Sequence, residues 1–310
     1  MRVFVAGASG AIGTRLVDQL IGRGHEVIGT YHSSPHADRV AALGAKSIML
    51  DLLDPAAVRQ AVLDAEPDAI VHQATALANI RFSRQLDTPF AQTNLLRTEG
   101  TDALLAAARE AGVTRIVAQS FASYRYARDG GPVKTENDPL DPTPVAGTRE
   151  MNDAMRHLDA AVTEAGGAAL RYGGFYGAAN DGLVGPVRKR QMPIVGNGAG
   201  MSSFVHLDDA AAATVLALEQ NVTGVFNVVD DEPAPLREWL PALAIALGAK
   251  PPRHLPRWLA RLIAGEGAVM AATEARGASN AKAKRELDWT LRYPSWREGF
   301  AAAYQSLRSA

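Results

Sequence analysis

Short apolar runs alternate along the chain with longer segments in which apolar residues recur every three or four positions. The short runs are rich in Val and Ile and predict buried strands, whereas the longer, Ala- and Leu-rich segments predict helices. The predicted strands are Arg2–Ala6, Glu26–Thr30, Lys46–Leu50, Ala69–His72, Arg115–Gln119, Ala168–Tyr172 and Val225–Val229. The clearest predicted helices are Thr14–Arg23, Thr93–Ala111, Arg149–Glu164 and Phe204–Gln220. This alternation predicts an α/β fold whose parallel, doubly wound sheet is covered on both faces.

The first predicted strand runs directly into a glycine-rich turn, Gly7-Ala8-Ser9-Gly10-Ala11-Ile12-Gly13. Strand, glycine turn and helix in this order place a dinucleotide pyrophosphate on a helix N-terminus. Gly7 permits the tight turn, Gly10 leaves room for phosphate beside the backbone, and Gly13 lets the helix pack closely on the sheet. The turn predicts a dinucleotide-binding site with contacts from Gly7, Ser9, Gly10, Ala11, Ile12 and Gly13.

The pattern changes after Tyr176, where a glycine-rich, irregular segment begins. Beyond Asp230, prolines at 233, 235, 241, 251, 252 and 256 interrupt short helical pieces. We therefore predict two parts. Residues 1–176 with 203–230 form the dinucleotide-binding domain, and residues 177–202 with 231–310 form a smaller substrate-binding domain over the carboxyl edge of the sheet.

Composition narrows the possible partners. The formal net charge is −1 with both signs interspersed, which argues against nucleic acid or an anionic membrane as the main partner. The chain has no cysteine, which excludes disulfides, thiolate catalysis and Cys-based metal sites, and no metal is expected. The apolar segment Trp258–Ala272 is too short to span a bilayer. Because the first strand begins at residue 2, no secretory leader is expected, and the sequence predicts a cytoplasmic protein acting on a small molecule.

Several motifs in fixed order resemble the extended short-chain dehydrogenase/reductase superfamily, in its NAD-dependent epimerase/dehydratase branch. Besides the glycine turn they are Asp51-Leu52, His72-Gln73-Ala74-Thr75-Ala76, Gln119-Ser120, Leu170-Arg171-Tyr172-Gly173-Gly174-Phe175-Tyr176-Gly177 and Ser203-Phe204-Val205-His206-Leu207-Asp208-Asp209-Ala210. The resemblance covers nearly the whole chain and implies a Rossmann fold with a nicotinamide cofactor. It also implies a homodimer through the two long helices Thr93–Ala111 and Arg149–Glu164.

The resemblance also implies cofactor contacts beyond the glycine turn. Asp51 and Leu52 would flank the adenine, and Ala74 and Thr75 would line the ribose and nicotinamide side. Asn94 would either brace the sheet or support the site. The remaining implied contacts are Gln73, Gln119, Tyr172 and Phe175.

The end of the second strand bears on the choice between the two nicotinamide cofactors. NAD-preferring relatives place an acid there to bind the ribose hydroxyls, whereas this chain has Tyr31-His32-Ser33-Ser34. Without a carboxylate a 2′-phosphate is not repelled, and the possible donors to it are His32, Ser33, Ser34 and Arg39. We expect NADP in preference to NAD, against the alternative of a solvated loop that tolerates both.

In this superfamily a Tyr-x-x-x-Lys pair on the helix after the fifth strand carries the acid/base chemistry, with a serine that holds the substrate oxygen. Ser120 matches the serine. None of the seven tyrosines is followed by lysine four residues later. One alignment of the helix puts Val145 and Arg149 at the pair; the alignment we prefer puts Met151 and Met155 there. A standard Ser-Tyr-Lys mechanism is therefore not predicted.

Substitute proton donors are Tyr124 and Tyr126 on the loop after Ser120, and Tyr176 after the sixth strand. Each has an alternative role in an apolar substrate wall. The residues predicted to form that wall are Tyr126, Met151, Met155, Met192, Met201 and Phe204.

Ser203 stands where sugar-nucleotide epimerases commonly carry an arginine for the substrate diphosphate. Together with the apolar wall, this points to a small, rather apolar carbonyl compound. The predicted function is an NADP-dependent oxidoreductase with an altered proton donor. Two alternatives stay open: an isomerase, cyclase or lyase on the same scaffold, and a non-catalytic NADP sensor that binds a partner protein.

Overall fold

A seven-stranded parallel sheet lies at the centre of the computed structural model, which describes residues 1–33, 37–77, 87–123, 125–177 and 182–305. The strands within these ranges are β1 (Arg2–Ala6), β2 (Glu26–Tyr31), β3 (Lys46–Met49), β4 (Ala69–His72), β5 (Arg115–Phe121), β6 (Val133–Lys134), β7 (Ala168–Tyr172), β8 (Gly174–Tyr176), β9 (Ile194–Val195), β10 (Met201–Ser202), β11 (Phe204–His206), β12 (Gly224–Val228), β13 (Ala234–Pro235), β14 (His254–Leu255) and β15 (Gly277–Ala278). The predicted doubly wound α/β fold is confirmed.

The strand order across the sheet is β12-β7-β5-β4-β1-β2-β3. The direction of winding reverses between β1 and β4, and ligands of open α/β sheets bind at such a switch point, beyond the carboxyl ends of the strands. Strands β2 and β5 extend beyond their predicted ends, to Tyr31 and Phe121, because the neighbouring strand pairs with the added residues. Tyr31 pairs with Met49, and Phe121 pairs with Tyr172.

The helices are α1 (Ala11–Gly22), α2 (Ala37–Ala41), α3 (Pro55–Ala65), α4 (Asp87–Leu95), α5 (Thr101–Glu110), α6 (Arg149–Glu164), α7 (Val184–Arg188), α8 (Leu207–Glu219), α9 (Leu236–Ala246), α10 (Arg257–Thr273), α11 (Ala281–Leu287) and α12 (Trp296–Tyr304). Helices α1 and α8 pack together over one face of the sheet. Helices α3, α5 and α6 cover the other. The alternating side chains of each strand therefore enter two separate apolar layers. Three glycines at positive φ, Gly24, Gly44 and Gly112, lie just past the ends of helices.

Two predicted helices need correction. The segment Phe204–Gln220 is not one helix, because its first three residues form β11, parallel to β8, and α8 begins at Leu207. Pairing with a strand some thirty residues earlier is a tertiary contact that local periodicity does not show. The segment Thr93–Ala111 is part of a longer element that begins at Asp87 and contains a π-helical turn, Leu96–Gly100.

A third apolar cluster lies in the C-terminal portion, apart from the two layers of the sheet. It is built around Trp239, Trp296 and Phe300 and includes Tyr176 and Phe204. The short pairs β9–β14 and β10–β13 border it. The cluster draws on both segments assigned from sequence to the smaller domain, although the division itself stays a prediction. In the described part of the chain, no helix combines the length and apolarity needed to cross a membrane.

Candidate functional site

The glycine turn connects β1 to α1 at the switch point of the sheet. Gly7 has φ +86°, a conformation that L side chains rarely adopt, and a Cβ there would lie 2.6 Å from the backbone nitrogen of Ala74. Its N–H donates to Thr30 Oγ1 at 3.2 Å. The end of β1 is thus held between β2 and the loop after β4, with no room for a side chain at Gly7.

The close packing continues into the helix. A Cβ on Gly13 would collide with the carbonyl oxygen of Gly7 and lie 2.7 Å from that of Ala8. Gly10 is the N-cap residue of α1, and no side chain caps this helix. The N–H groups of its first turn are therefore available to an anion, aided by the helix dipole. Glycines without room for Cβ and an uncapped helix N-terminus fit the pyrophosphate of a dinucleotide.

The predicted 2′-phosphate end lies beside this turn. Tyr31 ends β2, and His32 and Ser33 follow it as exposed residues. The guanidinium of Arg39, on the short helix α2, donates to the carbonyl oxygen of Ser9 at 3.5 Å. The structure thus brings Arg39 to the glycine turn. Ser34 lies outside the described residues.

At the predicted adenine end, Asp51 is exposed and its Oδ1 accepts the backbone N–H of Leu53 at 3.0 Å. Leu52 is buried in the layer beneath α3 and α5 and contacts Gly100. Ala74 and Thr75 are half-buried in the loop after β4, with Ala74 against Gly7. These placements leave Asp51 and the loop of Ala74 open to a ligand, whereas the Leu52 side chain serves the core.

Four of the implied cofactor contacts lie in the protein interior, with Gln73, Gln119 and Tyr172 buried and Phe175 half-buried. Gln73 Nε2 donates to Tyr172 Oη at 3.1 Å, and that hydroxyl also pairs with Thr214 Oγ1 at 2.6 Å. Burial raises the pKa of Tyr172 to about 12. Gln119 is buried on the same strand as Ser120, and Phe175 packs against Tyr172 with ring centroids 5.4 Å apart. These positions favour packing and bracing roles, and direct cofactor contacts stay predictions.

Ser120 lies near the end of β5, on the face of the sheet covered by α6, and is buried. Arg125 Nη1 donates to Ser120 Oγ at 3.0 Å, and its Nη2 donates to Asp159 Oδ2 at 2.7 Å. Because arginine only donates, the serine oxygen is the acceptor, and its own O–H stays free to donate to a third group. The serine is therefore presented as a hydrogen-bond donor.

Two more arginines surround Asp159. Arg171 Nε on β7 donates to the same Asp159 Oδ2 at 2.8 Å. Arg97, in the π-helical turn, is buried, and burial followed by repulsion from Arg125 lowers its pKa to about 10. We call Arg97, Arg125, Arg171 and Asp159 the arginine cluster.

The arginine cluster reaches a second polar group through Arg171. Arg171 Nη1 donates to Tyr126 Oη at 3.2 Å, and that hydroxyl donates to Asn227 Oδ1 at 2.6 Å. Burial raises the pKa of Tyr126. Tyr126, predicted as part of an apolar wall, therefore lies in a buried polar network. Tyr124 lies outside the described residues.

On α6, Met151 and Met155 are both fully buried, one turn apart, with Asp159 one turn further along the same helix. In the preferred alignment these are the positions of the Tyr and Lys of the superfamily. Their thioether side chains carry no exchangeable proton.

Tyr176 lies inside the third apolar cluster. Its ring contacts His206 and Phe300, at centroid distances of 5.3 and 5.2 Å, and its hydroxyl faces the Cα of Gly299. Burial raises its pKa. This placement favours packing, and proton donation by Tyr176 stays a prediction.

The remaining predicted wall residues divide between the C-terminal cluster and its border. Phe204 packs on Trp239 and Phe300, at centroid distances of 5.1 and 5.3 Å. Met192 packs on the same cluster, and half-buried Met201 lies on β10 beside Gly277. These three do not lie in one layer with Met151 and Met155 on α6.

Asp208 and Asp209 lie in the first turn of α8, and neither is its N-cap residue. His206 is the N-cap residue of α8, and its Nδ1 accepts the N–H of Asp208 at 3.1 Å. Asp208 pairs with Arg15 at 2.8 Å. Asp209 accepts the backbone N–H groups of Arg292 and Tyr293. In the described ranges, no group of three or more metal-ligating side chains lies together.

Sequence reasoning missed the arginine cluster. One signal was present: Arg171 occurs within Ala168-Ala-Leu-Arg-Tyr172, a strand buried on both faces, where a charge requires a partner. The partner, Asp159, is twelve residues earlier on a helix. Arg97 gave no comparable signal because its helix is partly exposed.

Fold and site together define a dinucleotide-binding α/β protein. The model of the NAD-dependent epimerase/dehydratase family matches residues 3–228, and the chain belongs to this family. Its cofactor class is accordingly a nicotinamide dinucleotide.

The chain is 44% identical to a 3-diazoavenalumate denitrifying reductase of a Streptomyces species, over 96% of this chain and 99% of that protein. It is 30% identical to a 4-hydroxy-2-methyl-3-oxo-4-farnesyl-3,4-dihydroquinoline-1-oxide ketoreductase of Stigmatella aurantiaca, over 81% of this chain and 74% of that protein. The structure of UDP-glucose 4-epimerase of Thermus thermophilus in complex with NAD matches with a TM-score of 0.73 and 25% identity, over all of both chains. These relatives support an oxidoreductase or epimerase-type enzyme acting on a small molecule.

Proposed function

We propose that this protein is an NADP-dependent reductase that transfers a hydride to an aromatic diazo acid, with loss of dinitrogen. The observation that carries this proposal is the buried pair Met151 and Met155 on α6, which in the preferred alignment occupies the positions of the superfamily's proton-transferring pair. The relative that is 44% identical is named for a reduction that removes nitrogen from a diazo compound.

The chemistry explains why a proton donor is dispensable. Reduction of a ketone makes an alkoxide, which needs a proton from the enzyme. In the reduction of an aryl diazonium ion, a C–H bond forms, the C–N bond breaks, and the bonding electron pair leaves with dinitrogen. Hydride and cation give a neutral arene carbon, so no proton is consumed.

The cofactor supplies the hydride when bound, and the chain offers the residues to hold it. Gly7 and Gly13 let the turn and α1 pack closely on the sheet, and Gly10, at the uncapped N-terminus of α1, leaves room for the pyrophosphate. The 2′-phosphate is assigned to Arg39 and His32, because no acid follows β2 and the guanidinium already lies at the turn.

A titration tests the cofactor assignment. Arg39→Ala should weaken NADPH binding about tenfold or more and leave NADH binding unchanged, because only NADPH carries the 2′-phosphate. Nicotinamide fluorescence measures both. Arg59→Ala, on α3, is the matched control for loss of a surface arginine. An equal effect of Arg39→Ala on both cofactors would contradict the assignment.

The reaction is tested with 4-carboxybenzenediazonium and NADPH deuterated at the transferable position. We expect enzyme-dependent dinitrogen release, seen by mass spectrometry, and benzoate that carries one deuterium at the former C–N carbon. In heavy water with unlabelled NADPH the product should carry no deuterium. Protein-free mixtures measure the background reaction. Deuterium taken from solvent, or no rate above background, contradicts the proposal.

Carbonyl reduction is the second candidate, for a small and rather apolar carbonyl compound as the sequence suggested. Its support is the Stigmatella ketoreductase relative together with the donor pair Ser120 and Arg125, which suits a carbonyl oxygen. The assay with deuterated NADPH, repeated with apolar β-ketoesters as substrates, distinguishes carbonyl reduction from diazonium reduction. NADPH binding without turnover of either class supports the sensor alternative, and conversion without net NADPH consumption supports an isomerase.

We also propose a homodimer in which α4–α5 and α6 of two copies pack as a four-helix bundle. His157 and Asp102, joined at 2.7 Å, lie on the partly exposed faces of these helices. Size-exclusion chromatography coupled to light scattering gives the mass of the particle in solution. A mass twice that of one chain supports the dimer, and the mass of one chain contradicts it.

A further inference from the structure

The arginine cluster carries more positive than negative charge in the protein interior. Arg125 and Arg171 share a single oxygen of Asp159, and Arg97 lies near both Arg125 and Asp159. Each of the four side chains is almost wholly buried. Three guanidinium groups and one carboxylate leave an excess of two positive charges, and uncompensated buried charge is costly.

Neighbouring groups of the described chain do not supply the missing negative charge. Burial lowers the pKa of His72 to about 4, so this residue is neutral. Burial raises the pKa of Tyr126, so its phenol keeps its proton. Glu136 accepts the N–H of Asn227 and forms no ion pair with the cluster. The stretch 78–86 lies outside the described residues, and its sequence contains no Asp or Glu.

Several buried hydrogen-bonding atoms in the same region lack a partner among the described residues. The donors among them are Nε and Nη1 of Arg97, Nε of Arg125 and Nδ2 of Asn94, and the acceptors are Oδ1 of Asn94 and Oδ1 of Asp159. Buried donors without acceptors are rare in folded proteins because each lost hydrogen bond is costly. Ser120 adds one more free donor, since its oxygen already accepts from Arg125. A ligand oxygen that carries negative charge would accept hydrogen bonds from donors of this kind.

We propose that Arg97, with Ser120 and Arg125, forms an anion subsite for an acidic oxygen of the aromatic substrate, either a carboxylate or an ionised phenol. The proposal rests on the proposed function, in which the substrate is an aromatic acid. Asp159 balances part of the cationic charge in the free protein, and the substrate anion balances the remainder. The subsite makes acidity a requirement for binding, and neutral analogues are excluded because they leave the arginines unpaired.

Binding of an unreactive probe tests the subsite without any turnover. Isothermal titration of NADP⁺-saturated protein compares trans-cinnamate with its neutral isostere cinnamamide. We expect cinnamate to bind about tenfold or more tightly, the difference that charge-assisted hydrogen bonds supply. Equal affinities, or binding of neither compound, would overturn the proposal.

Variants assign the selectivity to residues. Arg97→Met should bring the cinnamate to cinnamamide ratio close to one, and Ser120→Ala should lower it several-fold. Arg115→Met is the matched control, because Arg115 is half-buried and bonds the carbonyls of Leu218 and Glu219 at the other end of β5. An unchanged ratio in Arg97→Met, or the same loss in Arg115→Met, contradicts the assignment.

Thermal unfolding distinguishes a binding role from a structural one. If Arg97 serves mainly to neutralise Asp159, Arg97→Met lowers Tm and leaves probe selectivity intact. If Arg97 serves mainly to bind the substrate anion, Arg97→Met removes an unpaired buried charge, and the Tm of the ligand-free variant is unchanged or higher. The rise in Tm that cinnamate causes in the wild-type protein then disappears in the variant. The first pattern overturns the proposal and the second supports it.

The two sources of the anion are separated by 4-nitrophenolate at pH 8, which offers a phenolate but no carboxylate. Tighter binding of cinnamate assigns the subsite to the carboxylate, and tighter binding of 4-nitrophenolate assigns it to the phenol. Failure here is distinct from failure of the proposed function. Diazonium reduction with no preference for cinnamate overturns only the subsite, and preference for cinnamate without diazonium reduction overturns only the reaction.

Discussion

Asp159→Asn should be among the most destabilising single substitutions in this protein. Asp159 Oδ2 accepts from Arg125 at 2.7 Å and from Arg171 at 2.8 Å, and its side chain is 7% exposed. The substitution keeps the shape but removes the single carboxylate of a cluster with three guanidinium groups. Removing one partner of a buried ion pair costs about 3–5 kcal/mol. Because two pairs meet at this oxygen, we expect a loss of about 4–5 kcal/mol.

The loss is measured by guanidinium chloride unfolding at pH 7, followed by far-ultraviolet circular dichroism. A fall in Tm of roughly 10 °C should accompany it. Asp102→Asn is the matched control, since Asp102 pairs with His157 at 2.7 Å on the partly exposed surface and should cost less than about 1 kcal/mol.

A second substitution checks the cause. Arg125→Met in the Asp159→Asn background should recover about 0.5–3 kcal/mol, because it removes one of the unbalanced cations. A loss for Asp159→Asn no larger than for Asp102→Asn would show that water reaches the cluster. The argument for an uncompensated buried charge would then be refuted.

Three further predictions concern the glycine turn, a buried acid and a proposed proton donor. Gly13→Ala should abolish NADPH binding, because the added Cβ would lie 2.7 Å from the backbone of Ala8. Gly22→Ala is the control and should bind NADPH normally, because open space surrounds Gly22. Equal Kd values for the two variants in a fluorescence titration would contradict this. Burial raises the pKa of Asp230 to about 8. Between about pH 4 and 8 the folded state therefore holds a proton that the unfolded chain has lost. The free energy of unfolding falls as pH rises through this range. Urea unfolding at pH 5 and pH 8 should show this decline in the wild-type protein and a smaller one in Asp230→Asn; identical slopes would count against it. Tyr176→Phe removes a buried hydroxyl that has no partner among the described residues, so the substitution should not lower stability. Turnover should also persist. Loss of turnover at unchanged NADPH affinity would instead identify Tyr176 as the proton donor.

The sequence by itself determined the sheet and the glycine turn at its switch point. The strands Arg2–Ala6, Ala69–His72 and Ala168–Tyr172 have the bounds that the apolar runs predict. The glycine turn lies at the switch point, as its order of elements requires. These features are readable because their cause is local: a β-branched run, a residue at positive φ, or a missing Cβ acts within a few neighbouring positions.

Only the tertiary structure decided what surrounds Ser120. Arg97, Arg125, Asp159 and Arg171 come from four separate elements, and each reads in sequence as an ordinary charged residue. Their meeting depends on which face of β5 and β7 is covered by α6, a consequence of packing across the sheet. The same holds for Tyr176, which follows a buried strand like a site residue yet turns into the C-terminal cluster. Local pattern specifies which residues form an element. The energy of burying a charge or a phenol depends instead on partners far away in the chain. The chemistry at the carboxyl edge of the sheet is therefore decided by the fold.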